Sequence, residues 1–260
     1  MTCPSRPRTA GPAALLAALI AASGSSAAAG AASAAPVPVP VPILAYHHIG
    51  RAPAGASNPG IWVRRALFDR QLRALDRAGY EAVTLDRVWR AWHGSGSLPA
   101  RPLVISFDDG YASQAAAATT LRAHGWPGVL NLEVARLGAR GGLTRTQVRT
   151  LIAKGWEIDA HSVTHPDLRT VSAARLRTEV TGSRRAIRQA FGVPVDFFAY
   201  PYGRQNARVR AAVRQAGFLA ATTTERTFAS PDADPFALGR VLVGAGDSPS
   251  SVLRMLRTGG

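Results

Sequence analysis

The sequence predicts an α/β fold in which about seven parallel strands alternate with helices and curl toward a barrel. Three observations carry that expectation. Short apolar runs recur at 43–46, 81–84, 103–107, 128–132, 157–160, 197–200 and 219–222, with a further run at 238–243. The segments between them place apolar residues three or four apart, the spacing of one helix face. Several runs lead straight into a polar cluster, as strands do at the carboxyl rim of a parallel barrel. Alternation of this kind argues for a parallel sheet, because each return crossover is a helix. Seven or so units within residues 43–260 favour barrel-like closure over an open sheet.

Taken in order, the first segment is a leader. Arg6 and Arg8 precede an unbroken apolar stretch from Ala13 to Ala22, and small residues follow at Ala32-Ser33-Ala34-Ala35. Residues 1–35 therefore read as a cleaved secretory signal peptide. The stretch falls short of the roughly 20 residues a spanning helix needs, so no membrane span is expected in the mature chain. The protein is expected to be secreted or held in the cell envelope. Cys3 is the single cysteine and leaves with the leader, which excludes a disulfide, a thiolate metal site or a cysteine nucleophile. Residues 36–42 alternate Pro and Val and read as a stiff spacer, with the folded domain over 43–260.

Within the domain, Phe68, Leu72 and Leu75 mark a helix that Gly79 ends. Thr144 and Gln147 form a capping box ahead of Val148, Leu151 and Ile152, and Gly155 stops that helix. Leu176, Val180, Ile187 and Phe191 line a longer helix closed by Gly192 and Pro194. Val209, Val213 and Ala216 line another, closed by Gly217. Residues 57–60 and 136–142 read as loops. The formal charge is +15, but the arginines are scattered along helix faces with no dense basic run. That pattern fits solvated helix faces, with some attraction to an acidic envelope polymer, and no nucleic-acid partner is expected.

Four polar clusters each follow an apolar run: Tyr46-His47-His48, Asp108-Asp109-Gly110, His161-Ser162-Val163-Thr164-His165 and Tyr200-Pro201-Tyr202-Gly203. On a parallel barrel they would converge on one rim. Adjacent carboxylates repel each other, and a cation relieves the conflict. Alternation along an extended chain lets one aspartate face metal and the other face substrate. His161 and His165 suit a metal site on a loop, since Pro166 disfavours helix at His165. With Asp109 they make two histidines and a carboxylate, a set that leaves positions open for water and substrate.

These segments resemble a known family. Ser106-Phe107-Asp108-Asp109-Gly110-Tyr111, His161-Ser162-Val163-Thr164-His165-Pro166 and Phe198-Ala199-Tyr200-Pro201-Tyr202-Gly203 are similar, in order and spacing, to the first three motifs of the polysaccharide deacetylases, carbohydrate esterase family 4. The resemblance implies a distorted, incomplete (β/α) barrel. It implies a divalent metal ion, zinc being expected, on Asp109, His161 and His165, with Asp108 as general base. It also implies an oxyanion donor at the Tyr202 backbone, in the turn that Pro201 begins, and a polysaccharide as partner.

The chain departs from the commoner pattern at three points. No histidine follows His165, Ala199 stands where many members have a base-orienting arginine, and the usual Asp–Trp motif is not evident. Ile43-Leu44-Ala45-Tyr46-His47-His48 resembles instead the start of the permuted poly-N-acetylglucosamine deacetylases, which makes His47 the candidate general acid. Arg240 is the candidate replacement for the missing arginine. His48, His93 and His124 read as surface or local packing residues. By this resemblance the expected reaction is N-deacetylation of an N-acetylglucosamine polymer. An O-acetyl esterase acting on a xylan-type polymer and a non-catalytic polysaccharide-binding protein are the alternatives. A glycosidase fits less well, because its two carboxyls must flank the bond from separate positions.

Overall fold

The expected alternation is present in the computed structural model, which describes residues 39–258. The strands are β1 (Ile43–Tyr46), β2 (His48–Ile49), β3 (Trp62–Val63), β4 (Glu81–Ala82), β5 (Pro102–Asp109), β6 (Val129–Leu132), β7 (Glu157–Ala160), β8 (Phe197–Ala199), β9 (Ala220–Thr222) and β10 (Val241–Leu242). The helices are α1 (Arg65–Arg77), α2 (Leu85–Trp92), α3 (Ala117–Ala123), α4 (Arg145–Ala153), α5 (Ala173–Phe191), α6 (Ala207–Gln215) and α7 (Pro249–Thr258). Seven parallel strands run in the order β10-β1-β5-β6-β7-β8-β9 and form the curled sheet of an incomplete α/β barrel, with β4 added beside β5. β2 and β3 pair separately.

Side-chain alternation splits the core into two layers. Leu44, Tyr46, Ile105, Phe107, Leu130, Leu132, Ile158 and Phe198 pack outward against the helices. Ile43, Val104, Val129, Phe197 and Ala220 point the other way, into the lumen, where Leu85, Val88 and Trp92 of α2 join them. Moving along β5, the lumen series Val104, Ser106, Asp108 turns from apolar to polar as it approaches the carboxyl rim. Along β5 the lumen face is thus apolar at one end and ionic at the other.

The seam of the barrel lies between β9 and β10. Leu238 bridges to Thr222 of β9, and Val241 and Leu242 pair with Leu44 and Ala45 of β1. The segment 238–242 therefore touches both edges, with Arg240 in its middle. Gly239 is required there, because a Cβ would lie 2.0 Å from Thr227 Oγ1 and 2.6 Å from the Thr227 carbonyl oxygen.

The capping box at Thr144 forms as expected: Gln147 N–H donates to Thr144 Oγ1 at 3.1 Å and Thr144 N–H donates to Gln147 Oε1 at 2.8 Å. The end of the segment read as a spacer differs from expectation. Val41 is buried and exchanges backbone hydrogen bonds with Ala229 at 2.8 and 3.1 Å, and Trp92 Nε1–H donates to the Val39 carbonyl at 2.9 Å. Proline interrupts such pairing only at its own nitrogen, so the valines of a Pro-Val alternation keep their donors. Residues 1–35, read as a leader, lie outside the described residues. No helix among the described residues is long and apolar enough to cross a membrane.

Candidate active site

Asp109, His161 and His165 converge at the carboxyl ends of β5 and β7. His161 Nε2 and His165 Nε2 are 3.1 Å apart, and each lies 3.4 Å from Asp109 Oδ1. A tetrahedral ion with bonds of about 2.0–2.1 Å would space its ligands roughly 3.3–3.4 Å apart, so the triangle has the dimensions of a metal site. Asp109 Oδ1 is buried without a hydrogen-bond partner, as a ligand atom awaiting a cation would be. His161 Nδ1 lies 2.7 Å from the Ala199 carbonyl oxygen, which fixes the ring with Nε2 toward the site. The donor set therefore fits a divalent ion. Burial and the neighbouring His161 hold the His165 imidazole down at about 4, favouring the neutral, ligating form. For His161 burial acts in the same direction, but the Asp109 and Asp108 carboxylates outweigh it and raise the group.

Asp108 has different partners. Arg240 Nη1 and Nη2 donate to its Oδ1 and Oδ2 at 2.7 and 2.8 Å, and Asn131 Nδ2 of β6 donates to Oδ1 at 2.7 Å. Arg240 is only 1% exposed and also donates from Nε to the Thr223 carbonyl at 2.8 Å. Burial alone would push the Asp108 carboxyl up, but Arg240's charge, with help from His161 and His47, holds it well below the usual carboxylate range. The arginine absent from position 199 thus has a counterpart arriving from the seam. Sequence reading did not find Asn131, although a polar residue within the apolar run 128–132 was the available signal.

The two aspartates diverge for a reason other than simple strand alternation. Asp109 has φ 78°, so the chain leaves extended geometry at that residue. Among the described residues, four non-glycine positions have positive φ: Asp109, Ser162 (62°), His165 (57°) and Tyr202 (59°). All four fall in the three motifs, the clustering expected where strain is held for a site. Tyr202 is 55% exposed, and its ring meets that of His165 edge-on with centroids 4.5 Å apart. Gly203 after it has φ 68°, and a Cβ there would lie 2.5 Å from the Thr224 nitrogen. Pro201 is buried at the start of this turn and, having no N–H, shapes it rather than donating.

His47 is half-buried between β1 and β2, and when protonated its charge favours the carboxylates of both Asp108 and Asp109. Gln114 ties the neighbourhood together: its Nε2 donates to the His47 carbonyl at 2.8 Å and to the Asp108 carbonyl. His48 is buried rather than on the surface. Its ring is stacked between Trp62 and Tyr111, both at 3.6 Å, with Nδ1 3.1 Å from Ser113 Oγ. Burial holds it down at about 4, which suits a packing role. Arg136, paired with Glu133, continues the stack over Tyr111 at 4.3 Å. His93 and His124 make local contacts, to the Trp89 carbonyl and to Asp76, away from this rim.

Residues 95–221 match the family described as polysaccharide deacetylase. YxkH of Bacillus subtilis (strain 168) is 26% identical over 210 residues, covering 80% of this chain and 73% of that protein. The Streptococcus pyogenes deacetylase PplD, solved in complex with acetate, superposes with a TM-score of 0.78 at 26% identity, covering 84% of this chain and 99% of that one. A de-N-acetylase from Aggregatibacter actinomycetemcomitans shares the fold, with a TM-score of 0.73 at 21% identity over 83% of this chain and 99% of that one. Residues 95–221 of this chain are thus a polysaccharide deacetylase domain of carbohydrate esterase family 4, a family of hydrolases that remove acetyl groups.

Proposed function

We propose that the protein removes N-acetyl groups from an exported N-acetylglucosamine-containing polymer, in a hydrolysis that depends on a divalent metal, zinc in this reading. The observation that carries the proposal is the Asp109–His161–His165 triangle standing beside a separately held carboxylate, Asp108. A bound divalent ion would polarise the acetyl carbonyl and make water a better nucleophile at neutral pH. The chain's own groups do the rest. Asp108 accepts the proton of the attacking water, and Arg240 and Asn131 fix the direction in which its oxygens point. The Tyr202 N–H is the candidate donor to the oxygen on which charge develops. His47 gives a proton to the departing amine. A two-carboxylate glycosidase is disfavoured, because Asp108 and Asp109 are adjacent and face different partners.

One panel of substitutions tests these roles together. Wild type should carry one divalent ion per chain and release acetate from the polymer. His161→Ala should lose the metal and the activity, and full metal occupancy in that variant would overturn the ligand assignment. His47→Ala should keep the metal yet lose activity by about 100-fold or more, with the alkaline limb of its pH–rate profile altered. His48→Ala should keep metal and most activity but melt at lower temperature, since it empties the slot between Trp62 and Tyr111. If His48→Ala is the catalytically severe variant, or if both are mild, His47 is not the acid.

The leader motivates a proposal about place: the mature protein works outside the cytoplasm, in the medium or envelope. N-terminal sequencing of protein recovered from the culture medium should find Ala35 or Pro36 first. Recovery of the intact chain from the membrane fraction alone would overturn it.

A further inference from the structure

Both histidine ligands sit on the loop that joins β7 to α5, which has little regular structure and two positive-φ residues, Ser162 and His165. Such a loop needs support from outside itself. Between the two histidines its internal brace is the His165 N–H, which donates to Ser162 Oγ at 2.9 Å. A larger brace comes from Glu179 on α5. That carboxylate is 1% exposed, yet it lies outside the chemistry described above. Its Oε2 accepts from the Val163 N–H at 2.9 Å and the Thr164 N–H at 2.8 Å. Its Oε1 accepts from Thr164 Oγ1 at 2.7 Å and Arg175 Nε at 2.8 Å. Across the loop, the Ala135 N–H donates to the Val163 carbonyl at 2.8 Å.

We infer that Glu179 is a positioning residue for the metal centre, holding the backbone between His161 and His165 so that their Nε2 atoms are set before any cation arrives. This rests on the metal reading proposed above. The physical case is one of orientation and expense. Burying a carboxylate is unfavourable unless charge-assisted hydrogen bonds compensate it, and three of the four that do so here come from residues 163 and 164. A neutral apolar side chain would fill the same helix position at less cost, since Leu176, Val180 and Ile187 already line that face. The carboxylate earns its place only through the loop. Groups that orient ligands without touching the ion typically change metal affinity about 10- to 100-fold when removed.

The test is the Zn²⁺ dissociation constant of the mature protein, read by chelator competition, together with the visible spectrum of the Co²⁺-loaded form. Glu179→Leu should weaken Zn²⁺ binding by about 10- to 100-fold and alter the Co²⁺ spectrum. Glu179→Gln should stay within a few-fold of wild type, because its amide oxygen can take both N–H groups, its NH₂ can donate to the Thr164 hydroxyl, and the exposed Arg175 can turn its Nε–H to water. A folded Glu179→Leu protein with wild-type affinity and spectrum overturns the inference, as does a Gln variant as weak as Leu. Amide exchange on metal-free wild type covers the case in which Leu does not fold. The Val163 and Thr164 amides should exchange slowly, and exchange at the rate of an open loop overturns the brace. Wild type that binds no Zn²⁺ is a distinct result, which overturns the metal reading and this inference with it.

Discussion

Asp108→Asn should cut acetate release by about 100- to 10,000-fold while the protein still binds its metal. The ligand triangle uses Asp109, His161 and His165 and no atom of residue 108, so its donors survive the change. An amide has nearly the shape of a carboxylate but cannot take up a proton from water at neutral pH. The hydrogen-bond geometry adds a second consequence. Both oxygens of Asp108 receive donors from Arg240, and Oδ1 also receives one from Asn131. In the asparagine variant one of those oxygens becomes an NH₂ group, which faces another donor. The buried guanidinium also loses its counter-charge. The variant should therefore melt earlier as well as turn over slowly. Metal content, melting temperature and acetate release measured on one preparation separate the effects. Normal metal with near-normal turnover would refute the base role, and lost metal would place residue 108 among the ligands.

The motifs were legible because their chemistry is local. A strand that ends in Asp108-Asp109-Gly110, or in His161 with His165, displays its polar residues against an apolar run that predicts the strand itself. β1 and β7 fall where the apolar runs place them, at 43–46 and 157–160. The supporting residues were harder to see, because their partners are distant in sequence. Asn131 reaches Asp108 across 23 positions, and Arg240 reaches it across 132. Glu179 occupies the buried face of α5 with Leu176, Val180 and Ile187, and a charged residue on an apolar stripe was the one available hint. The helices that escaped the sequence reading fit the same account. α2 is eight residues long, and its Leu85, Val88 and Trp92 form a stripe too short to stand out until the barrel lumen is there to receive it. His48 shows the opposite limit. Sequence alone read it as a surface or local packing residue, and only the rings of Trp62 and Tyr111 closing on it decide between the two.

Arg240→Met should be the most destabilising single substitution considered, at about 3–5 kcal/mol, the usual consequence of stripping one partner from a buried ion pair. For a domain of this size that loss corresponds to a fall in melting temperature on the order of 10 °C. Methionine fills much of the space but offers no donor, so both Asp108 oxygens lose their strongest bonds and only Asn131 remains. Activity should fall as well, because the base is no longer aimed and burial alone favours its protonated form. Arg240→Lys should recover part of the stability and less of the activity, since an ammonium supplies charge without the two-pronged geometry. The seam gives the experiment a further reading. Arg240 lies on the segment that bridges β9 and β1, and through Thr223 and Asp108 it ties that segment to the lumen. If the ion pair is the main source of the loss, adding Asp108→Asn to Arg240→Met should destabilise far less than the sum of the two single changes, because the double variant leaves no charge unpaired. Additive losses would show instead that Arg240 acts chiefly as a strut of the seam. A melting temperature within a degree or two of wild type for Arg240→Met would dismiss both roles.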